Sequence, residues 1–283
     1  MKDLMETFVL RNGVQVPAVG FGTWQTPDGA TAVDTVKEAI KDGYRHIDTA
    51  AAYDNEESVG RGVRESGVDR GELFLTTKAW NGARGYESTL NAFEESCAKL
   101  GVDYVDLYLM HWPANAKQFG EDADRINLDT WRAMTELYHT GKVRAIGVCN
   151  FLPKHLGPLM DTEIPPMVDQ IEFHPGVTWP QTVEFCNAHH IQVEAWSPLG
   201  SGRVLNDPRL EKIAAKYGKS VAQLCIRWCL QHDALPLPKS VTPARIAANL
   251  DVFDFDISQA DMDAIDSMEP FGFSGNHPDE VDF

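Results

Sequence analysis

The sequence lacks the features that mark several large classes of protein. It contains no apolar run near the roughly 20 residues that cross a bilayer, and residues 1–6 carry no apolar segment of the signal-peptide type. We therefore expect a cytoplasmic protein. Basic residues are also scarce, because 25 Lys and Arg stand against 42 Asp and Glu. The net charge of −17 argues against nucleic-acid binding and against anionic membrane surfaces.

Cysteine is sparse and scattered, with five residues in the chain. Cys225 and Cys229 are four residues apart and would share one face of a helix, but no other Cys pair or His nearby completes a zinc pattern. The other three are Cys97, Cys149 and Cys186. We expect no metal site, and we expect the cysteines to be small buried hydrophobic residues.

Two functional motifs are missing as well. The chain has no Gly-x-Ser-x-Gly elbow, which would mark a nucleophilic serine. Gly20-x-Gly22 lacks the third glycine of a dinucleotide-binding turn, because Gln25 stands in its place. A doubly wound nucleotide-binding sheet, the alternative architecture, is thus disfavoured. The two glycines are expected to permit close approach of another backbone.

What the chain does contain is a regular alternation of strands and helices. Strand-like runs lie near 18–24, 45–47, 73–78, 105–111, 143–148, 167–170, 191–196 and 234–237. Apolar spacing predicts helices near 30–42, 56–66, 87–100, 128–140, 153–160, 181–189, 209–217, 220–232 and 242–250. This pattern indicates a TIM barrel, a single (β/α)8 domain over residues 1–283. A hairpin turning at Asn12-Gly13 is expected beneath it. An extra C-terminal helix near 258–268 and an aromatic, glycine-rich tail are expected after it.

Ionisable side chains stand at the ends of three successive strands. Asp48 ends the second strand, Lys78 the third and His111 the fourth, while Tyr53 follows Asp48 by five residues. Because active sites of such barrels are built at the C-terminal ends of the strands, these four side chains are expected to converge. An acid, a phenol, an ammonium and an imidazole in one place indicate a proton-transfer site.

Tyr53 is the candidate general acid. A free phenol has a pKa near 10, and lowering it by roughly 3 units takes about 4 kcal/mol. One cation about 4 Å away supplies that much at an effective dielectric near 20. We therefore expect Lys78 to lower the pKa of Tyr53 and Asp48 to hold Lys78. His111 is expected either to orient a substrate oxygen or to share the proton relay. A proton donor without a nucleophile or a metal suits carbonyl reduction, with hydride from a cofactor.

A phosphate-binding site is expected after the last two strands, where barrels commonly bind phosphate. Lys239 ends the eighth strand, and Ser240 can donate a hydrogen bond. Thr242 can cap the next helix, whose first backbone amides favour an anion. Arg245 can hold a phosphate monoester by two hydrogen bonds. Together these residues predict the local basic pocket that an anionic cofactor needs in an acidic chain.

Three tryptophans lie next to strand ends. Trp24 follows the first strand, Trp80 follows Lys78, and Trp112 follows His111. One such tryptophan is usually a core residue, but three at the same face of a barrel predict an apolar pocket.

Several motifs resemble those of the aldo-keto reductase superfamily along nearly the whole chain. They are Gly-Tyr-Arg-His-Ile-Asp-Thr-Ala at 43–50, Lys-Ala-Trp-Asn at 78–81, Asp-Leu-Tyr-Leu-Met-His-Trp-Pro at 106–113, Gly-Val-Cys-Asn-Phe at 147–151 and Pro-Lys-Ser-Val-Thr-Pro-Ala-Arg-Ile at 238–246. The compact loops and His-Pro-Asp-Glu-Val at 277–281 resemble the prokaryotic 2,5-diketo-gluconate reductase group.

The resemblance implies a (β/α)8 barrel that binds NADPH across the C-terminal face. The implied catalytic tetrad is Asp48, Tyr53, Lys78 and His111, with Tyr53 as the acid. The implied substrate contacts are Trp24, Tyr53, Trp80, His111 and Trp112. Implied cofactor contacts are Asn150 and Gln170 at the carboxamide, Trp196 on the nicotinamide ring, Ser197, Pro198 and Leu199 at the pyrophosphate, Lys239, Ser240 and Arg245 at the 2′-phosphate, Asn249 at the adenine, and also Gly22, Thr23, Trp24, Asp48 and Val241.

The resulting prediction is an NADPH-dependent reductase of aldehydes and ketones, including keto sugar acids and dicarbonyls. It is expected to act as a monomer without an obligate protein partner. Two alternatives stay open, a non-catalytic NADP-binding sensor on the same barrel and a Schiff-base aldolase that uses Lys78. Steady-state oxidation of NADPH by an aldehyde would exclude the first, and borohydride trapping on Lys78 would support the second.

Overall fold

Eight parallel strands form the centre of the molecule, and the computed structural model describes residues 3–283. A separate antiparallel pair, β1 (Thr7–Val9) and β2 (Gln15–Pro17), precedes them. The eight barrel strands are β3 (Gly20–Gly22), β4 (His46–Asp48), β5 (Phe74–Ala79), β6 (Val105–Met110), β7 (Val143–Cys149), β8 (Val168–Glu172), β9 (Gln192–Trp196) and β10 (Leu235–Leu237). In the sheet β3 to β10 lie side by side in sequence order. This confirms the barrel architecture that the alternation predicts.

Helices follow the barrel strands. They are α1 (Ala30–Asp42), α2 (Glu56–Glu65), α3 (Tyr86–Leu100), α4 (Ala116–Phe119), α5 (Ala123–His139), α6 (Pro153–Met160), α7 (Pro180–Ala188), α8 (Pro208–Lys216), α9 (Val221–Gln231), α10 (Pro243–Ala248) and α11 (Gln259–Asp266). Gly43, at a φ of 115°, ends α1 in the left-handed region that glycine adopts without strain. Apart from α4 and the start of α5, the predicted bounds agree with the structure to within two residues.

Glycines close the barrel where its first and last strands meet. The Gly22 amide donates to the carbonyl of Pro238 at 3.0 Å. A Cβ atom at Gly22 would lie 3.1 Å from the Leu237 carbonyl oxygen, and one at Gly20 would clash with the Leu237 side chain. The predicted close approach of another backbone is confirmed at Gly22, whereas the close neighbours of Gly20 are the side chains of Leu237 and His46.

The hairpin differs from the prediction in its turn. β1 and β2 are antiparallel, but the Leu10 amide bonds to the Val14 carbonyl, so the turn has three residues, and of these only Gly13 has positive φ. A two-residue Asn-Gly turn would need positive φ at Asn12 as well. Asn12 instead donates its side-chain amide to the Arg144 carbonyl at 2.9 Å, near the start of β7. The hairpin therefore lies against the N-terminal end of the barrel.

The loop after β6 holds the elements that the sequence did not reveal. The four residues of α4 are too few for apolar periodicity, and Asn115 caps them by accepting a hydrogen bond from the Gln118 amide. α5 begins five residues before its predicted start, in a polar stretch that Asn127 fixes through two bonds to the Ala114 backbone, at 2.7 and 3.0 Å. Apolar periodicity does not reveal a helix of four residues or a helix start that is polar.

The barrel and helices enclose a continuous apolar core, and the five cysteines are free and buried, as expected. Within residues 3–283, no helix has both the length and the hydropathy to cross a membrane. In the same range, no cluster of three His, Cys, Asp or Glu side chains is placed to hold a metal ion.

Candidate active site

The four ionisable residues at the strand ends converge as expected. Lys78 Nζ lies 2.6 Å from Asp48 Oδ1 and 3.3 Å from the Tyr53 hydroxyl. The His111 ring packs edge-on against the Tyr53 ring, with 5.6 Å between centroids. Tyr53 ends a short 3₁₀ turn, Ala51–Tyr53, that brings it back over the end of β4.

All three hydrogens of the Lys78 ammonium are committed. Nζ donates to Asp48 at 2.6 Å, to the Thr49 carbonyl at 2.8 Å and to Tyr53 at 3.3 Å, and an ammonium has three donors. Because the Tyr53 oxygen accepts from Lys78, the phenol's own hydrogen is free for another partner. Burial acts to lower the pKa of Lys78, but Asp48, aided by Tyr53 and Cys149, raises it above its ordinary value. The ammonium therefore stays charged.

The expected lowering of the Tyr53 pKa is wrong. Burial raises the pKa of Tyr53 to about 12 and outweighs the opposite influence of Lys78, while Asp48 and Cys149 raise it further. The sequence gives no measure of burial, and desolvation disfavours the charged phenolate. Tyr53 is thus a fully protonated phenol at physiological pH.

His111 is a neutral imidazole. Burial, and secondarily the charge of Lys78, lowers the pKa of His111 well below its ordinary value. Its Nδ1 is buried and has no hydrogen-bond partner among residues 3–283, while the ring lines the cavity described below. A neutral imidazole carries a single N–H. His111 can therefore orient an oxygen without adding a charge.

Two amides connect the tetrad to the neighbouring strands. Asn150 donates to the His111 carbonyl at 3.1 Å and accepts from the Trp196 indole at 2.8 Å. Gln170 donates to Asp48 Oδ2 at 3.0 Å. These bonds fix the side chains that the resemblance assigns to the nicotinamide ring.

Glu194 is a buried carboxyl at this site that our sequence reasoning missed. It lies on β9 beside Gln170, whose amide donates to Glu194 Oε2 at 2.9 Å. The sequence indicates it only by placing an acidic residue within a strand. An acidic side chain is rarely buried without a partner.

One cavity of about 1220 Å³ joins the tetrad to the loop after β10. Most predicted site residues line it: Gly22, Trp24, Asp48, Tyr53, Trp80, His111, Trp112, Asn150, Gln170, Trp196, Ser197, Pro198, Leu199, Lys239, Ser240, Arg245 and Asn249. Lys78, Thr23 and Val241 do not. Thr23 is fully buried and donates its hydroxyl to the Asp48 carbonyl at 3.0 Å, and Val241 is 44% exposed outside the cavity. Their predicted cofactor contacts stay predictions.

Two cations at the far end of the cavity have no acidic partner. Lys239 donates to the Gln25 carbonyl at 3.0 Å, and within residues 3–283 neither Lys239 nor Arg245 forms an ion pair. Thr242 precedes α10 but, contrary to expectation, makes no side-chain cap, and its amide bonds to Ser240 instead. Unpaired cations in a chain of net charge −17 suit an anion that arrives with a ligand.

Aromatic rings, including one from the tail, enclose the other end. The Phe283 ring stacks on Trp80, with 5.7 Å between centroids, and meets Trp112 edge-on at 5.4 Å. Its carbonyl accepts from the Asn81 side chain at 2.9 Å. The tail therefore folds over the barrel mouth, and Phe283 is a pocket residue that the sequence did not indicate.

Comparison with known proteins decides the family. The model of the aldo/keto reductase family matches residues 18–270, which is most of the chain. This chain is an aldo-keto reductase.

Relatives of this aldo-keto reductase include well-described bacterial enzymes. Glyoxal reductase of Bacillus subtilis is 50% identical over 99% of each chain, and methylglyoxal reductase DkgA of Escherichia coli is 40% identical over 96% of each. A crystal structure of a Gox0644 mutant in complex with NADPH matches with 44% identity, a TM-score of 0.90 and 98% coverage of both chains.

The family fixes the class of cofactor and reaction. The chain is an NADP(H)-dependent oxidoreductase. Its cavity fits such a cofactor on chemical grounds, with side-chain amides and an indole near the tetrad and two unpaired cations at the opposite end.

Proposed function

We propose that this aldo-keto reductase reduces small, uncharged aldehydes and ketones with NADPH, and that Tyr53 supplies the proton. The observation that carries this proposal is the Tyr53 hydroxyl. Its oxygen accepts from Lys78 at 3.3 Å, and its own hydrogen is free at the wall of the cavity. A proton donor held in this way needs no rearrangement before reaction.

A phenol with a pKa of about 12 is a competent acid here. It remains protonated at neutral pH, so the donor is always loaded. The oxygen of a reduced carbonyl becomes about as basic as hydroxide, whose conjugate acid has a pKa of about 15.7. Proton transfer from Tyr53 to that oxygen is therefore downhill by several pKa units, without the acidified phenol that the sequence suggested.

Lys78 stabilises the Tyr53 oxygen as its proton leaves. The ammonium lies 3.3 Å away and is itself held by Asp48 and the Thr49 carbonyl, so it is preorganised for the developing phenolate. His111 donates its single N–H to the same substrate oxygen. NADPH supplies the hydride when it is bound, with Asn150, Gln170 and Trp196 as candidate contacts to its nicotinamide.

The charges around the cavity favour an uncharged substrate. Among the described residues that line it, the cations Lys239 and Arg245 stand at the end assigned to the cofactor, whereas Asp54 lies beside Tyr53. A substrate carboxylate would meet aromatic rings and an acid instead of a counter-ion. Keto sugar acids are therefore expected to be weaker substrates than glyoxal or methylglyoxal, after which two relatives are named.

The Schiff-base alternative has little support. Lys78 is fully buried, stays charged beside Asp48, and has all three hydrogens engaged. An amine must be neutral and accessible to attack a carbonyl. The sensor alternative makes a different prediction, since it forbids steady-state NADPH oxidation.

Replacing Tyr53 by Phe tests the proposal. We expect Tyr53→Phe to lower kcat for methylglyoxal by at least about 100-fold, the usual range for a lost general acid, with little change in NADPH affinity. NADPH oxidation gives the rate and protein fluorescence gives the affinity. Tyr108→Phe is the control, because Tyr108 is a tyrosine that is buried away from the cavity, and its hydroxyl has no partner among residues 3–283. Undiminished turnover in Tyr53→Phe would remove Tyr53 from its role.

A further inference from the structure

Glu194 is a buried acid that the proposed reaction does not use. It is 0% exposed, and it lies beneath the cavity on β9. Its Oε2 accepts from the Gln170 amide at 2.9 Å, and its Oε1 is buried without a partner among residues 3–283. Burying a carboxyl oxygen without a hydrogen bond lowers the stability of the fold, so the position of Glu194 next to the tetrad requires a physical explanation.

The Gln170 amide group is shared between two acids. Its nitrogen donates to Asp48 at 3.0 Å and to Glu194 at 2.9 Å, and a side-chain amide has two hydrogens. Both hydrogens are therefore directed into the protein. The Gln170 oxygen is left to face the cavity, and the opposite orientation would place it against two acidic groups. Gln170 thus presents only a hydrogen-bond acceptor to a ligand.

The two acids differ in their counter-charge. Asp48 is paired with Lys78 at 2.6 Å, whereas no ion pair involves Glu194 within residues 3–283. Burial, followed by repulsion from Asp48, raises the pKa of Glu194 to about 8, against smaller opposing contributions from Gln170 and Lys78. Glu194 is therefore protonated at neutral pH and becomes an anion in mildly alkaline solution.

Lys78, Cys149 and His46 do not titrate in this range. Asp48 on β4 and Lys78 on β5 form the ion pair, and the pKa of Lys78 is raised above its ordinary value. Burial raises the pKa of Cys149 on β7 well above 9, and it lowers that of His46 on β4 to about 3. Asp169 on β8 is also buried with a raised pKa, but its carboxyl lies against the Phe151 amide and Cys186. A change in charge near pH 8 that is lost in Glu194→Gln would therefore come from Glu194.

We propose that Glu194 is a positioning residue. By sharing the Gln170 amide with Asp48 it holds the Gln170 oxygen toward the cavity, and its ionisation makes this end of the site favour oxidised over reduced cofactor. The inference rests on the proposed function in one respect, namely that the nicotinamide lies against Gln170.

The sign of the effect follows from charge. The oxidised nicotinamide ring is positive and the reduced ring is neutral, so an anionic Glu194 stabilises NADP+ relative to NADPH. By linkage, the ratio of the NADPH to the NADP+ dissociation constant should rise between pH 6.5 and 9 by at least about fivefold. The same negative charge opposes loss of the Tyr53 proton, so kcat for reduction should fall over this range. Below pH 7 neither effect is present, because Glu194 is neutral.

Infrared spectroscopy of the cofactor-free enzyme tests the protonation state directly. We expect the carbonyl band of a buried carboxylic acid at pH 6.5, lost in Glu194→Gln and titrating near pH 8 in the unsubstituted protein. Asp169 is also buried with a raised pKa and contributes a band of its own, so the difference between the two proteins isolates Glu194. If Glu194→Gln removes no acid band, the inference is wrong.

Cofactor titrations test the coupling. Dissociation constants of NADPH and NADP+ are measured by fluorescence at pH 6.5 to 9 in the unsubstituted enzyme, in Glu194→Gln and in Glu56→Gln. Glu56 is a matched control, because it is also buried with one bonded and one unbonded oxygen, but its partner is Thr77, which does not line the cavity, instead of Gln170, which does.

Glu194→Gln should weaken NADPH binding only a few-fold at pH 7. It should also make the ratio of the NADPH to the NADP+ dissociation constant nearly independent of pH, whereas Glu56→Gln should leave the pH dependence of this ratio unchanged. A ratio that still changes at least about fivefold in Glu194→Gln would overturn the inference. These measurements need no turnover. If the enzyme binds both cofactors with this coupling but reduces no carbonyl, the proposed function fails while the role of Glu194 stands.

Discussion

The two ends of the cavity differ in how their cationic side chains are paired. At the tetrad, Lys78 is fully buried and has all its hydrogens bonded within the protein. At the far end, Lys239 and Arg245 lie on the loop and helix after β10 and form no ion pair within residues 3–283. The cation of the first end is fully bonded without a ligand, whereas the two cations of the second end gain an anionic partner only with one.

Charged groups therefore have different roles at the two ends of the cavity. Desolvated and satisfied groups hold their geometry during a reaction, and they make the tetrad part of the core. Cations without an ion pair contribute little to folding, and their charge is available to bind an incoming anion. Substitutions at the tetrad should therefore affect stability and turnover together, while substitutions at the far end should affect cofactor binding alone.

The largest effect is expected from breaking the buried ion pair. Lys78→Met leaves the Asp48 carboxylate buried without its counter-ion, which costs about 3–5 kcal/mol. The free energy of unfolding should fall by this amount in urea denaturation, and kcat should fall by orders of magnitude because Tyr53 loses its cation.

The double variant Lys78→Met with Asp48→Asn separates the two losses. Without the unpaired charge it should recover much of the stability, yet it should stay inactive. A double variant as unstable as Lys78→Met would show that packing of the Lys78 chain, rather than its charge, holds this end together.

A smaller and more selective effect is expected at the far end. Arg245→Ala should weaken NADPH binding by about 10- to 100-fold, the range for a lost charge-assisted hydrogen bond, while NADH binding and the unfolding midpoint change little. Arg11→Ala, an exposed arginine near the hairpin turn, is the control. Equal losses for NADPH and NADH would place the 2′-phosphate elsewhere.

The strand-end residues were predictable because a barrel brings the ends of its strands to one face. Asp48, Lys78 and His111 each stop an apolar run, and this feature is local in the sequence. The raised pKa of Tyr53 was not predictable, since it depends on burial, which only the packed structure defines. Its direction was therefore predicted wrongly, although its neighbours were predicted correctly.

Contacts between residues that are far apart in the sequence were also not predicted, although Gln170 itself was. Phe283 bonds to Asn81 across 202 positions, and Gln170 reaches Asp48 across 122. No periodicity records such contacts. Glu194 was missed because a single acid within a strand does not say which side chain it meets.

The smallest effect is expected from replacing Phe283, an uncharged residue that belongs neither to the tetrad nor to the cationic end of the cavity. Its ring covers Trp80 and Trp112 but remains 46% exposed, so Phe283→Ala should cost little stability. It should raise KM for an aromatic aldehyde about five- to tenfold by removing a stacking surface worth about 0.5–1.5 kcal/mol. KM for methylglyoxal, which is too small to reach the ring and the tetrad together, should change less. Phe273→Ala is the matched control, because Phe273 is 40% exposed in the same tail but packs on Trp179. If both variants shift KM equally, the tail acts through its general order and the Phe283 ring has no direct role.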